Sequence, residues 1–264
     1  MRNRIPVSGT VVAYHNRDEI LTCLGSLKEQ TREAELSLYV VDNGSDDGTP
    51  AAVRAAFPDI TVIENGANLG FGAGHNKVLP LLSSRYHVMI NPDITLQEDA
   101  ISKMAAYMED HPEVGLMMPD IMNPDGTRQI LPKHNPSWWY MIAGRFLPAV
   151  RKAYCRGDEA MDKPTEIEFC SGCFMMIRTE IFRKLSGFDE RYFLYMEDAD
   201  LSRQVRKQAK VIFFPGARVV HAWHHDSAKS GKALKLHLES ARKYFAKWRR
   251  ETDHEPCNDS VSRL

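Results

Sequence analysis

The chain has 264 residues, and its 34 basic and 35 acidic side chains leave a formal net charge of −1. This balance argues against nucleic acid as a partner, and no apolar run reaches the roughly 18 residues of a membrane-spanning helix. The N-terminal residues lead into a strand pattern without a signal-peptide core. The five cysteines are scattered rather than arranged as a disulfide framework, so we expect the reducing cytoplasm.

β-rich runs alternate with helical patterns through the first part of the chain. The runs that predict strands are residues 7–14, 36–41, 60–63, 86–90 and 114–118. Apolar residues at helical spacing follow the first of them, a short helix is predicted over 50–57, and another surrounds Ile101 and Met108. This alternation predicts an α/β fold with a mostly parallel sheet covered by helices on both faces.

Polar segments follow three of these strands, at residues 15–18, 42–47 and 91–93. Ligands of such sheets bind at the carboxyl ends of the strands. The three segments are therefore expected to meet at one edge of the sheet and to form a binding site there.

Three glycines lie close together between Gly70 and Gly74, before a helix predicted to begin near Asn76. A dinucleotide-binding fingerprint would occupy the turn after the first strand, and that turn has no glycine here. The glycines indicate instead a flexible backbone close to a ligand, with Asn68 and Asn76 as hydrogen-bonding groups.

The alternation fails after about residue 120. A turn is predicted at 123–126, and residues 132–165 read as a long irregular stretch, which is usually functional or mobile. Its aromatic segment around Trp138 and Trp139 suits either the core of a flap or an apolar surface. Residues 166–178 return to a strand pattern, within which Cys170 and Cys173 have CxxC spacing but no second ligand pair for zinc.

An acidic cluster, Glu197, Asp198 and Asp200, opens a predicted helix. Acids suit the first turn of a helix, so a purely structural interpretation is available. However, like charges this close raise one another's pKa, and a carboxylate with a raised pKa in a cleft suits a general base.

Asp93 and His221 are candidate metal ligands. Asp93 ends a buried strand, where it could cap the next helix or bind Mg²⁺ or Mn²⁺, ions that prefer oxygen ligands. His221 belongs to a histidine-rich segment after a predicted strand over 211–214, and imidazole is a suitable ligand for Mn²⁺.

Together these motifs resemble the inverting nucleotide-sugar glycosyltransferases of family two, which have the GT-A fold. The branch that they resemble most contains rhamnosyltransferases of bacterial surface-polysaccharide synthesis. The segments that carry the resemblance lie in order between about residues 5 and 226: 11–17, 41–49, 68–76, 91–93, 171–178, 187–193, 197–201 and position 221.

The resemblance implies roles for particular residues. Asp198 would be the catalytic base, with Glu197 in contact with the acceptor, and Gly172 and Cys173 would line the acceptor or donor pocket. The residues implied to bind the nucleotide sugar are Tyr14, His15, Asn16, Asp42, Asn43, Asn68, Gly70, Asn76 and Asn91.

The resemblance also implies Mg²⁺ or Mn²⁺ held by Asp93 and His221. Residues 91–93 stand where the family has its metal-binding DxD, and Asn91 replaces the first acid, as in the rhamnosyl branch. This replacement leaves fewer carboxylates for the ion and weakens binding of the free cation.

The function expected from the resemblance is transfer of a sugar, L-rhamnose from dTDP-rhamnose, to a glycan or a polyprenyl-diphosphate-linked acceptor in O-antigen or other cell-surface polysaccharide synthesis. One base and no covalent nucleophile imply a single in-line displacement with inversion. The alternatives are another nucleotide-sugar donor, a nucleotidyltransferase, which would need a basic glycine-rich loop after the first strand, and a non-catalytic carbohydrate-binding protein.

We expect a glycosyltransferase domain at 1–226, with a nucleotide-sugar-binding half at 1–118 and an acceptor and catalytic half at 119–226. Residues 227–264 would form a basic amphipathic helix and tail. An apolar stripe recurs at helical spacing in that helix, at Leu234, Leu238, Ala241, Phe245 and Trp248. Residues 229–250 could therefore lie on the inner face of an anionic membrane or dock on the domain, and both alternatives stay open, as does the oligomeric state.

Overall fold

The computed structural model describes residues 4–129, 133–156, 159, 161–222 and 231–252, which contain nine strands and nine α-helices. The strands are β1 (Ile5–Ala13), β2 (Ala34–Asp42), β3 (Thr61–Glu64), β4 (Tyr86–Ile90), β5 (Ile94–Thr95), β6 (Val114–Met122), β7 (Thr165–Glu166), β8 (Phe174–Arg178) and β9 (Lys210–His221). The helices are α1 (Arg17–Gln30), α2 (Thr49–Ala56), α3 (Phe71–Asn76), α4 (Ala100–Asp110), α5 (Trp138–Phe146), α6 (Pro148–Tyr154), α7 (Thr179–Lys184), α8 (Glu197–Arg206) and α9 (Gly231–Thr252).

One sheet runs through the described chain in the order β3-β2-β1-β4-β8-β6-β9-β5, and β7 also pairs with β9. The pairings among β3, β2, β1 and β4 are parallel, as is that of β6 with β9. β8 runs antiparallel between β4 and β6, and the short strands β5 and β7 run antiparallel to β9. The predicted α/β architecture is confirmed, but the sheet is mixed and parallel mainly in its first half.

The strand ends meet at one edge, as predicted. Ala13 of β1 is in register with Asp42 of β2, and Asp42 is in register with Glu64 of β3. Val11 pairs with Ile90, the last residue of β4, so that the polar segments after β1, β2 and β4 start at nearly the same level. Every residue of β4 is buried, which anchors this edge in the core.

The stretch 132–165 is not structureless where it is described, because it contains α5 and α6. Ser137 caps α5 by accepting a hydrogen bond from Tyr140 N at 3.1 Å, and Pro148 stands at the start of α6. The strand predicted over 166–178 is interrupted: only its two ends, β7 and β8, lie in the sheet. The boundary expected at 118–119 falls inside β6, and the one at 226–227 lies outside the described residues.

The C-terminal helix α9 docks on the domain through its second half. Ala241, Tyr244 and Trp248 are buried in a cluster with residues that precede and begin α8, among them Tyr192 and Met196. The stripe predicted from the sequence is therefore divided, since Leu234 and Leu238 remain 38% and 46% exposed. Within the described residues, no helix is long and apolar enough to cross a membrane.

Asp200, the third acid of the cluster, binds α9 to the start of α8 through hydrogen bonds. Its Oδ2 accepts a hydrogen bond from Lys247 Nζ at 2.7 Å, and its Oδ1 accepts one from Trp248 Nε1 at 2.8 Å. Lys247 also donates to Asp189 Oδ2 at 2.9 Å. Burial raises the pKa of Asp200, and the Lys247 ammonium opposes that rise. Asp200 therefore has a structural role, since it anchors α9.

Replacing Lys247 with methionine should destabilise the protein by about 3 kcal/mol, because it leaves the buried carboxylate of Asp200 without its cation. The matched control is Lys243→Met, since exposed Lys243 donates only to the carbonyl of Arg191, and such a surface change usually costs under about 0.5 kcal/mol. Urea unfolding of both variants measures the difference. Equal midpoints would show that the ion pairs do not hold α9.

Candidate active site

The edge formed by β1 and β2 presents one exposed aromatic side chain, Tyr14, which is 45% exposed and lies 4.2 Å from the His15 ring. His15 has a positive φ of 56°, and its Nε2 lies 2.9 Å from Asp46 Oδ1. Asn16 Oδ1 accepts a hydrogen bond from Tyr14 N at 3.1 Å and holds this turn. The turn therefore displays a tyrosine ring to solvent at the carboxyl end of β1.

Asp42 is buried at the end of β2. Its Oδ2 accepts hydrogen bonds from the N–H groups of Gly44 and Ser45 at 3.0 and 2.9 Å. Its Oδ1 is also buried but has no hydrogen-bond partner among the described residues. A buried acceptor without a donor is costly unless a ligand or water supplies one, so Asp42 Oδ1 is a candidate contact for a ligand donor.

The asparagines around the glycine segment connect protein loops to one another. Asn43 Nδ2 donates to Gly70 O at 3.0 Å, and Asn43 Oδ1 accepts from Asn65 Nδ2 at 2.8 Å. Asn68 Oδ1 accepts from Gly70 N at 3.0 Å. Asn76 bonds through both side-chain groups to the backbone of Phe188, at 2.8 and 2.9 Å. In this structure these amides shape the edge of the site.

The glycine segment itself forms α3, so the helix expected to begin near Asn76 instead ends there. Gly70 has φ 90° and ψ 178°, a conformation nearly restricted to glycine, and a Cβ at this position would collide with the carbonyl oxygen of Phe193. At Gly72 a Cβ would lie 2.8 Å from Phe188 Cβ. These glycines therefore allow the segment before the acidic cluster to pack closely against α3.

Asp93 and His221 are brought together by the pairing of β5 with β9, in which Ile94 lies opposite His221. Asp93 Oδ1 is 3.3 Å from His221 Nε2, and both side chains are largely buried. Neither atom has a hydrogen-bond partner among the described residues. The helix-cap alternative for Asp93 fails, because Asp99 caps α4 by accepting from Ser102 N at 3.1 Å.

Gln129 fixes the orientation of the His221 ring. Its Oε1 lies 3.0 Å from His221 Nδ1, and its Nε2 donates to His221 O at 2.9 Å and to Asn123 Oδ1 at 2.8 Å. Because Oε1 can only accept, Nδ1 carries a hydrogen, and in the neutral imidazole Nε2 therefore has its lone pair on the side of Asp93. Such outer partners commonly orient metal-binding imidazoles. The sequence analysis missed Gln129, since no local motif distinguishes it.

These atoms fit a divalent cation. A buried carboxylate oxygen and an imidazole nitrogen with a free lone pair face each other, and both lack protein donors. Mg²⁺ and Mn²⁺ accept such ligands and complete their shells with phosphate and water. Within the described residues there is no group of three or more acidic, histidine or cysteine ligands, so the protein side chains seen here supply two. The nearby histidines at 224 and 225 lie outside the described residues.

The acidic cluster begins α8 after two residues with positive φ, Tyr195 at 68° and Met196 at 71°. Consecutive non-glycine residues in this region are strained, and such strain commonly occurs at functional sites. The helix consequently starts at Glu197, where the unpaired amides and the helix dipole favour negative charge.

Glu197 and Asp198 have different environments. Asp198 is half-buried and accepts hydrogen bonds from Gly172 N at 3.0 Å and Ala199 N at 2.9 Å. Burial raises its pKa, while the charge of Lys133 and the two N–H groups oppose that rise. Glu197 is buried with Oε2 unpartnered, and burial followed by the charge of Asp198 raises its pKa well above its usual range. We infer that Glu197 keeps its proton and that Asp198 carries the negative charge.

Residues 172 and 173 connect the two parts of the site. Gly172 N donates to the Asp198 carboxylate, and Cys173 O accepts from Asn91 N at 2.8 Å. Residues 172 and 173 therefore link Asp198, the charged base candidate, to the turn that carries Asp93. Burial raises the pKa of the Cys173 thiol to about 12, so this thiol stays protonated.

The fold is that of the GT-A glycosyltransferases. The structure aligns with TM-score 0.65 to a mannosyltransferase of Pyrobaculum calidifontis, at 21% identity over 94% of this chain and 65% of that one. It aligns with TM-score 0.62 to TarS of S. aureus, at 14% identity over 97% and 76% of the two chains.

Residues 10–186 match the model of glycosyl transferase family 2, and the chain belongs to that family. It is 29% identical to an N-acetylglucosaminyl-diphospho-decaprenol L-rhamnosyltransferase of Mycobacterium tuberculosis, over 92% of this chain and 83% of the relative. It is 24% identical to the rhamnosyltransferase WbbL of Escherichia coli K12, over 90% and 92% of the two chains. The expected likeness to rhamnosyltransferases is confirmed.

Gly70→Ala should destabilise the protein by about 3 kcal/mol, because the new Cβ meets the backbone of Phe193 in a conformation that alanine avoids. Gly126→Ala is the matched control: its φ is also positive, at 82°, but a Cβ there meets nothing within 4 Å. The control should cost about 1 kcal/mol. Thermal or urea unfolding of both compares them, and equal losses would exclude the close packing against Phe193.

Proposed function

We propose that this glycosyltransferase transfers L-rhamnose from dTDP-rhamnose, with inversion, to a glycan or a polyprenyl-diphosphate-linked glycan used in cell-surface polysaccharide synthesis. Two relatives are named as rhamnosyltransferases, and the name of one specifies a diphospho-decaprenol acceptor. The observation that carries the mechanism is the Asp93–His221 pair, whose facing atoms have no hydrogen-bond partners among the described residues. Residues 172 and 173 link this pair to the carboxylate of Asp198.

In this proposal Asp93 and His221 hold Mg²⁺ or Mn²⁺, and Gln129 keeps the His221 Nε2 lone pair directed at the ion. The ion would neutralise negative charge on the departing nucleoside diphosphate. The related mannosyltransferase was solved with GDP-mannose and Mn²⁺, which supports a divalent ion in this fold. With one carboxylate in this segment rather than two, we expect the ion to bind more tightly with the nucleotide than alone.

The nucleotide would lie along the edge formed by β1 and β2. The exposed ring of Tyr14 offers a surface on which a base can stack, and Asp42 Oδ1 can accept a hydrogen bond from a base N–H. His15 and Asn16 hold the turn that carries Tyr14. Five further residues would shape the donor side through the contacts described above: Asn43, Asn68, Gly70, Asn76 and Asn91.

Asp198 would act as the base. An acceptor hydroxyl attacks the anomeric carbon, the bond from that carbon to the diphosphate oxygen breaks, and the hydroxyl proton passes to the Asp198 carboxylate. Attack opposite the leaving group inverts the anomeric centre. The neutral carboxyl of Glu197 can hydrogen-bond the acceptor without competing for its proton, and Gly172 keeps Asp198 in place.

A thermal-shift comparison of dTDP, UDP and GDP, with and without Mn²⁺, tests donor and metal together. We expect dTDP to raise Tm most and Mn²⁺ to increase the shift. Asp93→Asn and His221→Gln should abolish the Mn²⁺ increment, and Gln129→Leu should weaken Mn²⁺ affinity about 10- to 100-fold. A larger shift with UDP or GDP would overturn the dTDP donor, and an increment that survives Asp93→Asn would overturn the metal site.

Asp198→Asn should lower kcat about 100- to 10,000-fold, the range of a lost general base, with Tm and nucleotide binding little changed. Glu197→Gln is the matched control: because glutamine resembles a protonated glutamate, most of the activity should remain. In the wild type, kcat/KM should fall as the pH drops through the raised pKa of Asp198, since protonation removes the base. Full activity of Asp198→Asn would exclude this base.

A further inference from the structure

Helix α5 exposes most of its apolar face. Trp138, Trp139, Ile142 and Phe146 are 45%, 65%, 61% and 76% exposed, and Leu147, immediately after the helix, is 49% exposed. At 3.6 residues per turn, the four helical residues lie within about 100° of one another around the helix axis. Contiguous large apolar side chains on a surface mark a place where something else binds.

This face belongs to a helix that is held in place from its other sides. Tyr140 stacks on Tyr154 of α6, with ring centroids 4.9 Å apart, and Ala143 is buried. Met141 packs against the cluster that anchors α9, and the ring of Trp138 lies 4.4 Å from that of Phe245. The exposed face is therefore a supported surface of the fold.

Helix α9 extends the same surface. Leu234 and Leu238, the exposed part of its apolar stripe, lie three and two turns before Phe245 on nearly the same side of the helix. Phe245 is the residue of α9 that meets Trp138 of α5. The leucines thus continue the apolar face of α5 along α9.

Most of the charges around this surface are positive. Neither α5 nor α6 contains an acidic residue, and the last turn of α6 carries Arg151 and Lys152, both exposed. On α9, the side chain of Lys235, next to Leu234, is 78% exposed and lies 3.9 Å from the Glu239 carboxylate, with which it forms an exposed ion pair. Apolar and tryptophan side chains with flanking cations suit the interface of an anionic bilayer, where the rings enter the headgroup region and the cations meet lipid phosphates.

We propose that the α5 face, with Leu234 and Leu238 of α9, is the surface on which this protein lies against an anionic lipid bilayer. This assigns bilayer contact to α5 as well as to the C-terminal helix, whose buried half is not available for it.

The placement of this surface near the acceptor rests on the proposed function. Helix α6 ends at Tyr154, and the charge of Asp198 adds to the effect of burial in raising the pKa of the Tyr154 phenol. Tyr154 is therefore close enough to the proposed base for their charges to interact, and its ring stacks on Tyr140 of α5. A bilayer on the α5 face would present a lipid-linked acceptor on the side of the site where Asp198 lies.

Vesicle flotation tests the surface without any substrate. The wild-type protein should float with vesicles of phosphatidylglycerol and phosphatidylethanolamine, and much less with phosphatidylcholine alone. The double variant Trp139→Glu, Phe146→Glu should bind the anionic vesicles at least tenfold more weakly, and Leu234→Glu, Leu238→Glu should also weaken binding. Leu81→Glu is the matched control, since Leu81 is 47% exposed on a 3-10 helix elsewhere, and it should bind as the wild type does.

Unchanged binding by the Trp139→Glu, Phe146→Glu variant would overturn the proposal, and so would no binding by the wild type. A wild-type dimer in light scattering that this variant converts to a monomer would also overturn it, because the face would then be a subunit interface. Failure of the proposed function would appear differently: vesicle binding would persist, while no nucleotide would raise Tm. The variants leave the donor site untouched and should keep the nucleotide-induced shift.

Discussion

The pairing of β5 with β9 is the constraint on which the site depends. Strand β5 has only two residues, yet its register places Ile94 opposite His221 and so sets Asp93 Oδ1 3.3 Å from His221 Nε2. These two residues are 128 positions apart in the sequence, and only the sheet brings them together. Gln129, in the segment that follows β6, then fixes the tautomer of the neutral His221 imidazole. Backbone pairing therefore supplies the geometry, and one amide supplies the orientation.

The acidic cluster is tolerated because its three carboxylates have different hydrogen-bond partners. Asp198 accepts hydrogen bonds from two backbone N–H groups. Asp200 accepts hydrogen bonds from a lysine and a tryptophan side chain. Glu197 Oε2 has no hydrogen-bond donor among the described residues. Three charges so close together, two of them on buried side chains, would be very costly, and we infer that the proton stays on Glu197, whose Oε2 has no donor. In the proposed mechanism the cluster thus supplies one proton acceptor, Asp198, and one neutral acid, Glu197, while Asp200 anchors α9.

Much of the edge of the site followed from local pattern, because a buried strand and the polar turn after it are adjacent in the sequence. Asp42 and Asp93 could be placed at strand ends in this way, and family motifs added His221 and Asp198. Gln129 could not be found, since its role comes from hydrogen bonds to residues 92 positions away. The packing role of Gly70 and Gly72 could not be found for a similar reason: the groups that approach them belong to residues 188 and 193, which no local pattern relates to them. The division of the stripe on α9 likewise depends on tertiary packing.

Helix α9 connects the inferred bilayer surface to α8, the helix that begins with the acidic cluster. Its buried side packs against Tyr192 and Met196 and bonds through Lys247 and Trp248 to Asp200, two residues after the proposed base. Its exposed leucines lie on the side that meets α5. Contact of those leucines with a bilayer would therefore involve the same helix that packs against the start of α8. Because Tyr195 and Met196 are strained, their conformation must be maintained by surrounding packing, and α9 provides part of it. The C-terminal helix is in this sense part of the catalytic structure, although it carries none of the proposed reacting groups.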